Sequence, residues 1–570
     1  MDGSMINARA GSAGINVTRR CGERIVMMMK LCVREFCAVL LLMCGIARAA
    51  DVALPPLQEP LGGILLLHGG GKVSEDVRGI FIKASGGSDA RIVVISSGSD
   101  EPGLITAENR LSYFGVTAPR DLVILHAATR EDAAKPEFAD VLKKATGVWI
   151  EGERQAELER YVGTPVETEL HALLKRGGTV AGISAGAALC SRTLLPEPKS
   201  TPEELRKGFG LLEGVIVAAH FKKPERQKRL ENAVNVATHG HAGFGIEEET
   251  TVIIEKRWMT VIGSGKLSIL YPRAIFTPSK DGMKEMQAKT VELKARDRAD
   301  LLTVSRAALS RTGEIFPTGN PGIPEVPPGA MLVIGGSGIS DEGTKRFITH
   351  CGGVNAKIVV IPTALDDEPT REPYEVKILR NLGVKDVTVV HAKTRAEAES
   401  AAVLDPIRKA TGIWFSGGRQ WRLVDKYLGT SAEKEMHAVL ARGGAIAGGS
   451  AGATIQGDYL VRGNPLGNVE MMVEGYERGL GFLKGVAIDQ HFSQRKRFAD
   501  MTAFKKEVPH YLGIGIDENT ALIVTGHVAE IVGEHVVSFY DREQPLPEGA
   551  KDYTVIRSGE SYDLKERRKK

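Results

Sequence analysis

Residues Ala445 to Ile455 read AIAGGSAGATI, and their reading decides the fold. An apolar run, Ala445-Ile446-Ala447, enters Gly448-Gly449-Ser450-Ala451-Gly452, and small residues leave it. That G-x-S-x-G spacing suits a strand turning sharply into a helix, where only glycine or alanine can crowd beside a serine in a strained backbone conformation. The hydroxyl then projects from the end of a sheet, with the N–H of the next residue placed to stabilise an oxyanion. Alone the pentapeptide is a weak signal, because glycine and serine cluster in any tight turn. The chain writes it twice, however. GTVAGISAGAAL, Gly178 to Leu189, sets Ser184 in the same frame.

The repetition extends in both directions. LLHGGG (Leu66 to Gly71) matches VIGGSG (Val333 to Gly338), and RIVVIS from Arg91 matches KIVVIP from Lys357. KKATGVW, ending at Trp149, matches RKATGIW, ending at Trp414; GFGIEEETTVII from Gly243 matches GIGIDENTALIV from Gly513. The order is conserved between copies and the offset stays between 265 and 271 residues. A domain of roughly 220 to 250 residues has been duplicated, within the ordinary domain range. In the second copy, Val/Ile/Leu-rich runs begin at Met331, Lys357, Asp386, Gly412 and Ala445. Amphipathic stretches at Glu342 to Cys351, Pro373 to Leu382 and Ala432 to Arg442 separate them. Near-continuous apolar strands alternating with helices predict an α/β fold, a parallel sheet covered on both faces. Ligands on such sheets gather at the carboxyl ends of the strands, where the Ser450 elbow lies. The copies are expected at 51–279 and 329–562. The link, 280–328, starts with a charged, helix-compatible stretch and ends in FPTGNPGIPEVPPG, whose prolines and glycines deny it regular structure.

Composition narrows the class. The chain has 570 residues, 42% hydrophobic and 25% charged, with 74 Lys and Arg against 71 Asp and Glu. A formal charge of +3 and no basic stripe with interleaved aromatics argue against nucleic acid as a partner. Residues 1–50 are expected to be an upstream segment and a signal peptide. Lys30 and Arg34 are its basic region, Cys37 to Ile46 its apolar region, and Ala47-Arg48-Ala49 its cleavage site, near Ala49/Ala50. The apolar run is shorter than the ~20 residues of a spanning helix, so a secreted or periplasmic product without a stable membrane anchor is expected. A lipoprotein anchor at Cys44 ranks second, since Met43 is bulkier than such sites prefer. Cleavage would leave two of six cysteines, Cys190 and Cys351. Two thiols make no disulfide framework or metal spacing, and both are expected to pack as small hydrophobes.

A serine nucleophile needs a base, and the base needs an orienting group. His491, in GVAIDQHFSQRKRF, sits where an apolar run ends in a polar cluster, and His220, in GVIVAAHFKKPERQ, repeats it. The orienting acid is Asp517 or Glu518, with Glu247 and Glu248 as counterparts.

The G-G-S-A-G-A elbow, the D-Q-H-F-x-x-R-x-R segment and the G-I-G-I-D-E-N-T-A run together resemble the serine peptidase family of cyanophycinase and peptidase E. The likeness covers residues 329 to 560 and, more loosely, 62 to 275. It implies a flavodoxin-like (class I glutamine amidotransferase-like) domain in each copy and a Ser-His-Glu triad of Ser450, His491 and Glu518. The N–H groups of Gly418 and Ala451 would form the oxyanion hole, Gly417-Gly418-Arg419-Gln420 standing where the family has G-G-D-Q. Gln420, Asp489, Gln490, Arg495 and Arg497 would line a groove for cyanophycin, a poly-aspartate backbone carrying arginine on each β-carboxylate, or for a related aspartate/arginine peptide. Asp489 would pair with guanidinium and the arginines with carboxylates. No metal or organic cofactor is implied. Small aspartyl or isoaspartyl peptides, or a non-catalytic binding role, are the alternatives.

The second copy departs from many cyanophycinases at Asp500, where they carry a third arginine. The first copy offers a second site of Ser184, His220, Glu248 and Gln155 and departs further. Ala218-Ala219 replace Asp489-Gln490, Pro224 replaces Arg495, and Glu151-Gly152-Glu153 replaces Ser416-Gly417-Gly418. It is expected to be a structural partner or a site for a less charged peptide. Whether the copies form an intramolecular pseudo-dimer, or the chain a homodimer, is left open by the sequence.

Overall fold

The computed structural model describes residues 57–97, 113–114, 119–152, 154–195, 206–237, 240–279, 282–312, 316–336, 338, 341–366, 371–541 and 551–570. The expected signal segment, its cleavage site and Cys44 lie outside the described residues.

The first copy runs through β1 (Ile64–His68), β2 (Arg91–Ser96), β3 (Asp121–Leu125), β4 (Gly147–Glu151), β5 (Thr179–Ile183), β6 (Val215–Ala218) and β7 (Ala242–Ile246). It continues with β8 (Thr250–Glu255), β9 (Trp258–Gly263), β10 (Leu267–Tyr271), β11 (Ala274–Ser279), β12 (Gly282–Met286), β13 (Lys289–Leu293) and β14 (Arg298–Asp300). Its main sheet has the order β14-β9-β8-β1-β5-β4-β2-β3. The β1-β5-β4-β2-β3 half is parallel, and β8, β9 and β14 extend it antiparallel. A smaller sheet, β13-β10-β7-β6, packs beside it. The parallel strands are aliphatic almost throughout because helices cover both faces: β4 and β5 are buried at every residue.

The second copy repeats the plan. Its strands are β15 (Ala330–Ile334), β16 (Lys357–Ile361), β17 (Asp386–Val389), β18 (Gly412–Phe415), β19 (Ala445–Gly449), β20 (Gly457–Tyr459) and β21 (Leu483–Gln490). They are followed by β22 (Leu512–Ile516), β23 (Thr520–Thr525), β24 (Val528–Gly533), β25 (Val536–Tyr540), β26 (Thr554–Arg557), β27 (Ser561–Asp563) and β28 (Arg568–Lys569). The sheets run β17-β16-β18-β19-β15-β23-β24-β27-β28 and β20-β21-β22-β25-β26. The expected helices form at Asp341–His350, Tyr374–Asn381 and Ser431–Ala441.

Strand register adjusts the internal alignment by one residue. In β1, His68 lies opposite Ile183, next to Ser184; in β15, Ile334 lies opposite Gly449, next to Ser450. His68 therefore corresponds to Ile334 and Gly69 to Gly335, one place from the sequence match.

The link is more ordered at its start than its composition suggested. Its charged stretch contains β13, which alternates side chains in KTVEL and pairs with β10, and β14, which pairs with β9. The helix comes later, at Leu301–Ser310, where Asp300 accepts from the Thr303 N–H at its start. Leu301, Leu302, Val304, Ala307 and Ala308 join the core of the first copy. This helix and the β8–β9 turn carry a buried charged contact between copies. Arg257 is bidentate to Asp300, at 2.5 and 2.7 Å, and reaches across to Asp425 at 2.6 Å and the Tyr476 hydroxyl at 2.8 Å. Its guanidinium lies 4.3 Å from the Trp421 ring centroid. Arg306 adds a second bond to Asp425, at 3.1 Å.

Candidate active site

Each serine stands where the central strand ends and a short helix begins. Ser450 has φ 53° and ψ −115°, and Ser184 has φ 54° and ψ −112°. A non-glycine residue at positive φ costs on the order of 1–3 kcal/mol and persists only where its surroundings over-determine it. Here the flanking glycines do so. A Cβ at Gly448 would stand 2.3 Å from the Gly452 carbonyl oxygen, and one at Gly452 would stand 2.2 Å from that of Phe415. The G-x-S-x-G spacing thus follows from backbone crowding at both ends of the elbow.

His491 follows β21, also at positive φ (50°), and its N–H donates to the Gly335 carbonyl at 2.9 Å. The ring rests on Gly336, where a Cβ would come within 2.2 Å of its Cε1. That contact fixes the imidazole with Nε2 3.0 Å from Ser450 Oγ and Nδ1 2.6 Å from Glu518 Oε1. The two candidate acids separate clearly. Asp517 accepts the Ser493 N–H at 2.9 Å and fixes the turn after the histidine, while Glu518 meets the ring. The first copy has the same series: Ser184 Oγ to His220 Nε2 at 2.9 Å and His220 Nδ1 to Glu248 at 2.7 Å. There Glu247 accepts the Lys266 N–H instead. Burial holds His491 below the ordinary histidine value; Glu518 opposes this, and the cations Arg495 and Arg497 add to it. In the first copy, buried His68 is pushed down to about 4, which keeps it neutral beside His220.

The copies differ at the oxyanion position. Neither the Ala451 nor the Gly418 N–H donates to any described residue. The Gly417-Gly418 loop lies against the elbow, a Cβ at Gly417 falling 3.4 Å from Ser450 Cβ. In the first copy the Ala185 N–H, the counterpart of Ala451, donates to the Gly152 carbonyl at 3.2 Å.

The five expected groove residues divide. Asp489 is 0% exposed, bound by Arg462 at 2.9–3.1 Å and by Arg497 at 2.6 Å. It lies beneath the site, already paired, and does not face a substrate guanidinium. Arg497 is buried with it and also donates to the Gln490 carbonyl. Gln490 is buried. Gln420 is buried and spends its amide on the carbonyls of Val461 and Arg462, at 2.9 and 2.8 Å. Arg495 alone of the five is exposed, beside His491, and its guanidinium meets no described carboxylate. Gln155 bonds to Glu159 at 2.9 Å on the wall of the Ser184 pocket.

Sequence reasoning missed Arg462, whose only signal is an arginine closing the apolar run Tyr459-Leu460-Val461. It binds Asp489, Asp500 at 2.7 Å and the Val469 carbonyl at 2.8 Å. Arg419 holds the same loop through the carbonyls of Asn464 and Gly467, at 2.7 and 2.8 Å. Asp500, at the place of the absent third arginine, is thereby a partner of Arg462. Cys190 and Cys351 are buried and unpaired, with burial pushing the Cys190 thiol up to about 12. Among the described residues no group of three or more His, Cys, Asp or Glu could hold a metal. Among those residues, too, no helix is long and apolar enough to cross a membrane.

A serine at the end of β19, in series with a histidine and a carboxylate at the ends of β21 and β22 in the second sheet, has the layout of a serine hydrolase. Comparison with known proteins fixes the family. The model of peptidase family S51 matches residues 65–262 and again 331–532, and the chain belongs to that family of serine peptidases. It is 31% identical to a cyanophycinase of Geminocystis herdmanii over 218 residues, 37% of this chain and 80% of that enzyme. A cyanophycinase of Synechococcus elongatus is 32% identical over 221 residues, 37% of this chain and 68% of that enzyme. Among solved structures, a peptidase from an acI-B1 actinobacterium aligns over 42% of this chain and 97% of its own, with 23% identity and a TM-score of 0.34.

Proposed function

We propose that the chain is an exported cyanophycinase-like peptidase whose working site is Ser450, His491 and Glu518. The observation that carries this is the unbroken series Ser450 Oγ, His491 Nε2, His491 Nδ1, Glu518 Oε1, with unengaged N–H groups at Ala451 and Gly418. His491 takes the hydroxyl proton as Oγ adds to the scissile carbonyl. Glu518 holds the ring and stabilises the imidazolium. The two N–H groups bind the oxyanion, the leaving amine takes the proton from His491, and water then releases the acyl group. Similarity to cyanophycinases and exposed Arg495 support a substrate with an aspartate backbone. Because Asp489 is fully paired, recognition beside the histidine falls to carboxylates of the substrate at Arg495. Export is supported by the signal-like stretch Met29 to Ala50.

The test is the purified chain on cyanophycin beside α-aspartyl and isoaspartyl dipeptides. Release of aspartate-arginine dipeptides from the polymer is expected. Turnover of small dipeptides alone would replace the substrate and keep the mechanism.

A further inference from the structure

The arginine six residues after each histidine meets opposite fates in the two copies. In the second, Arg497 is neutralised by Asp489 at 2.6 Å. In the first, its counterpart Arg226 has Ala218 where that acid would be. Arg226 reaches the Ala219 carbonyl at 3.3 Å and no described carboxylate. Beside Ser184 lies a cavity of about 430 Å³, walled by Ala218, Ala219, Arg154, Arg226 and Arg229. That volume falls in the usual range for small-ligand sites, about 300–1,000 Å³. Glu157, the acid among the described residues of this wall, is paired with Arg154 at 2.9 Å. The pocket therefore keeps the charge of Arg226, which its counterpart Arg497 has neutralised by Asp489.

The triad beside it is assembled, yet the Ala185 N–H is bound to the Gly152 carbonyl, so an oxyanion formed at Ser184 would find that donor taken. Loss of one such donor costs about 10²–10³ in turnover.

We propose that the Ser184 pocket is a binding site for a short carboxylate-bearing ligand, an acidic peptide or free dicarboxylate, which it holds through Arg226 and does not cut. This revises the expectation of a less charged ligand, and it does not depend on the substrate proposed for Ser450.

Calorimetric titration of the full chain carrying Ser450→Ala, with Asp-Asp and separately with succinate, tests it. Binding of either probe is expected, weakening with added salt, and falling by about tenfold or more in Arg226→Gln. Arg226→Lys should retain most of it, which separates lost charge from a lost fold. Binding of neither probe, or binding indifferent to Arg226→Gln, overturns the proposal. Fluorophosphonate labelling of the unsubstituted chain, read by mass spectrometry, tests the second half. Ser184 should react about 10²-fold or more slowly than Ser450, and equal rates would overturn a silent first site.

Discussion

His491 sets the pH behaviour of the second site. Only the neutral imidazole can take the serine proton, and burial with Arg495 nearby holds its pKa below the ordinary histidine value. Activity on kcat/KM should fall as pH drops, with the acid limb below about 6.5. Arg495→Gln removes a cation that disfavours the imidazolium, so the limb should move to higher pH while KM for a carboxylate-bearing substrate rises. A limb that stays in place would show that Arg495 does not act on the ring. Glu518→Gln keeps the shape but not the charge, and kcat should fall by about 10³–10⁴ with little change in Tm. Near-normal turnover would remove Glu518 from the mechanism. The choice of Glu518 over Asp517 could not be read from the residues themselves. Two adjacent carboxylates after an apolar run look alike, and only the turn at Asn519 (φ 54°) and the Ser493–Asp517 bond separate their directions.

The elbow was the most legible element because its constraint is local. Gly448, Ser450 and Gly452 crowd one another and the adjacent strand β18, so five consecutive residues carry the pattern. Gly452→Ala should be poorly tolerated, since its Cβ would meet backbone at 2.2 Å, and thermal denaturation would show it. The floor of the site was illegible for the opposite reason. Asp489 finds Arg462 across 27 residues of chain, and a loop with no regular repeat brings them together. Arg462→Ala leaves a fully buried carboxylate with one cation instead of two. Breaking a buried pair this way costs about 3–5 kcal/mol, measurable by urea denaturation. A loss below about 1 kcal/mol would mean that water replaces the arginine there. The link was misread in part, because KTVEL shows its strand character only when β10 is present to pair with it.

At the scale of the molecule, the two copies share a buried charge cluster in which Asp425 receives Arg257, Arg306 and the Tyr476 hydroxyl. Asp425→Ala would leave Arg306 without its carboxylate and Arg257 with Asp300 alone, and should lower Tm; unchanged stability would argue that the copies hold together by other contacts. Their duplication was plain in the sequence, and Ala218-Ala219 and Pro224 already marked the first copy as the diverged one. Ser184, His220 and Glu248 are as well assembled as their counterparts, and the difference lies in a backbone carbonyl, Gly152, turned onto the Ala185 N–H. The most direct measurement is cyanophycin hydrolysis by the full chain carrying Ser450→Ala and, separately, Ser184→Ala. Ser450→Ala should abolish nearly all activity and Ser184→Ala should leave most of it. Equal losses, or loss on Ser184→Ala alone, would contradict the assignment of the working site to the second copy.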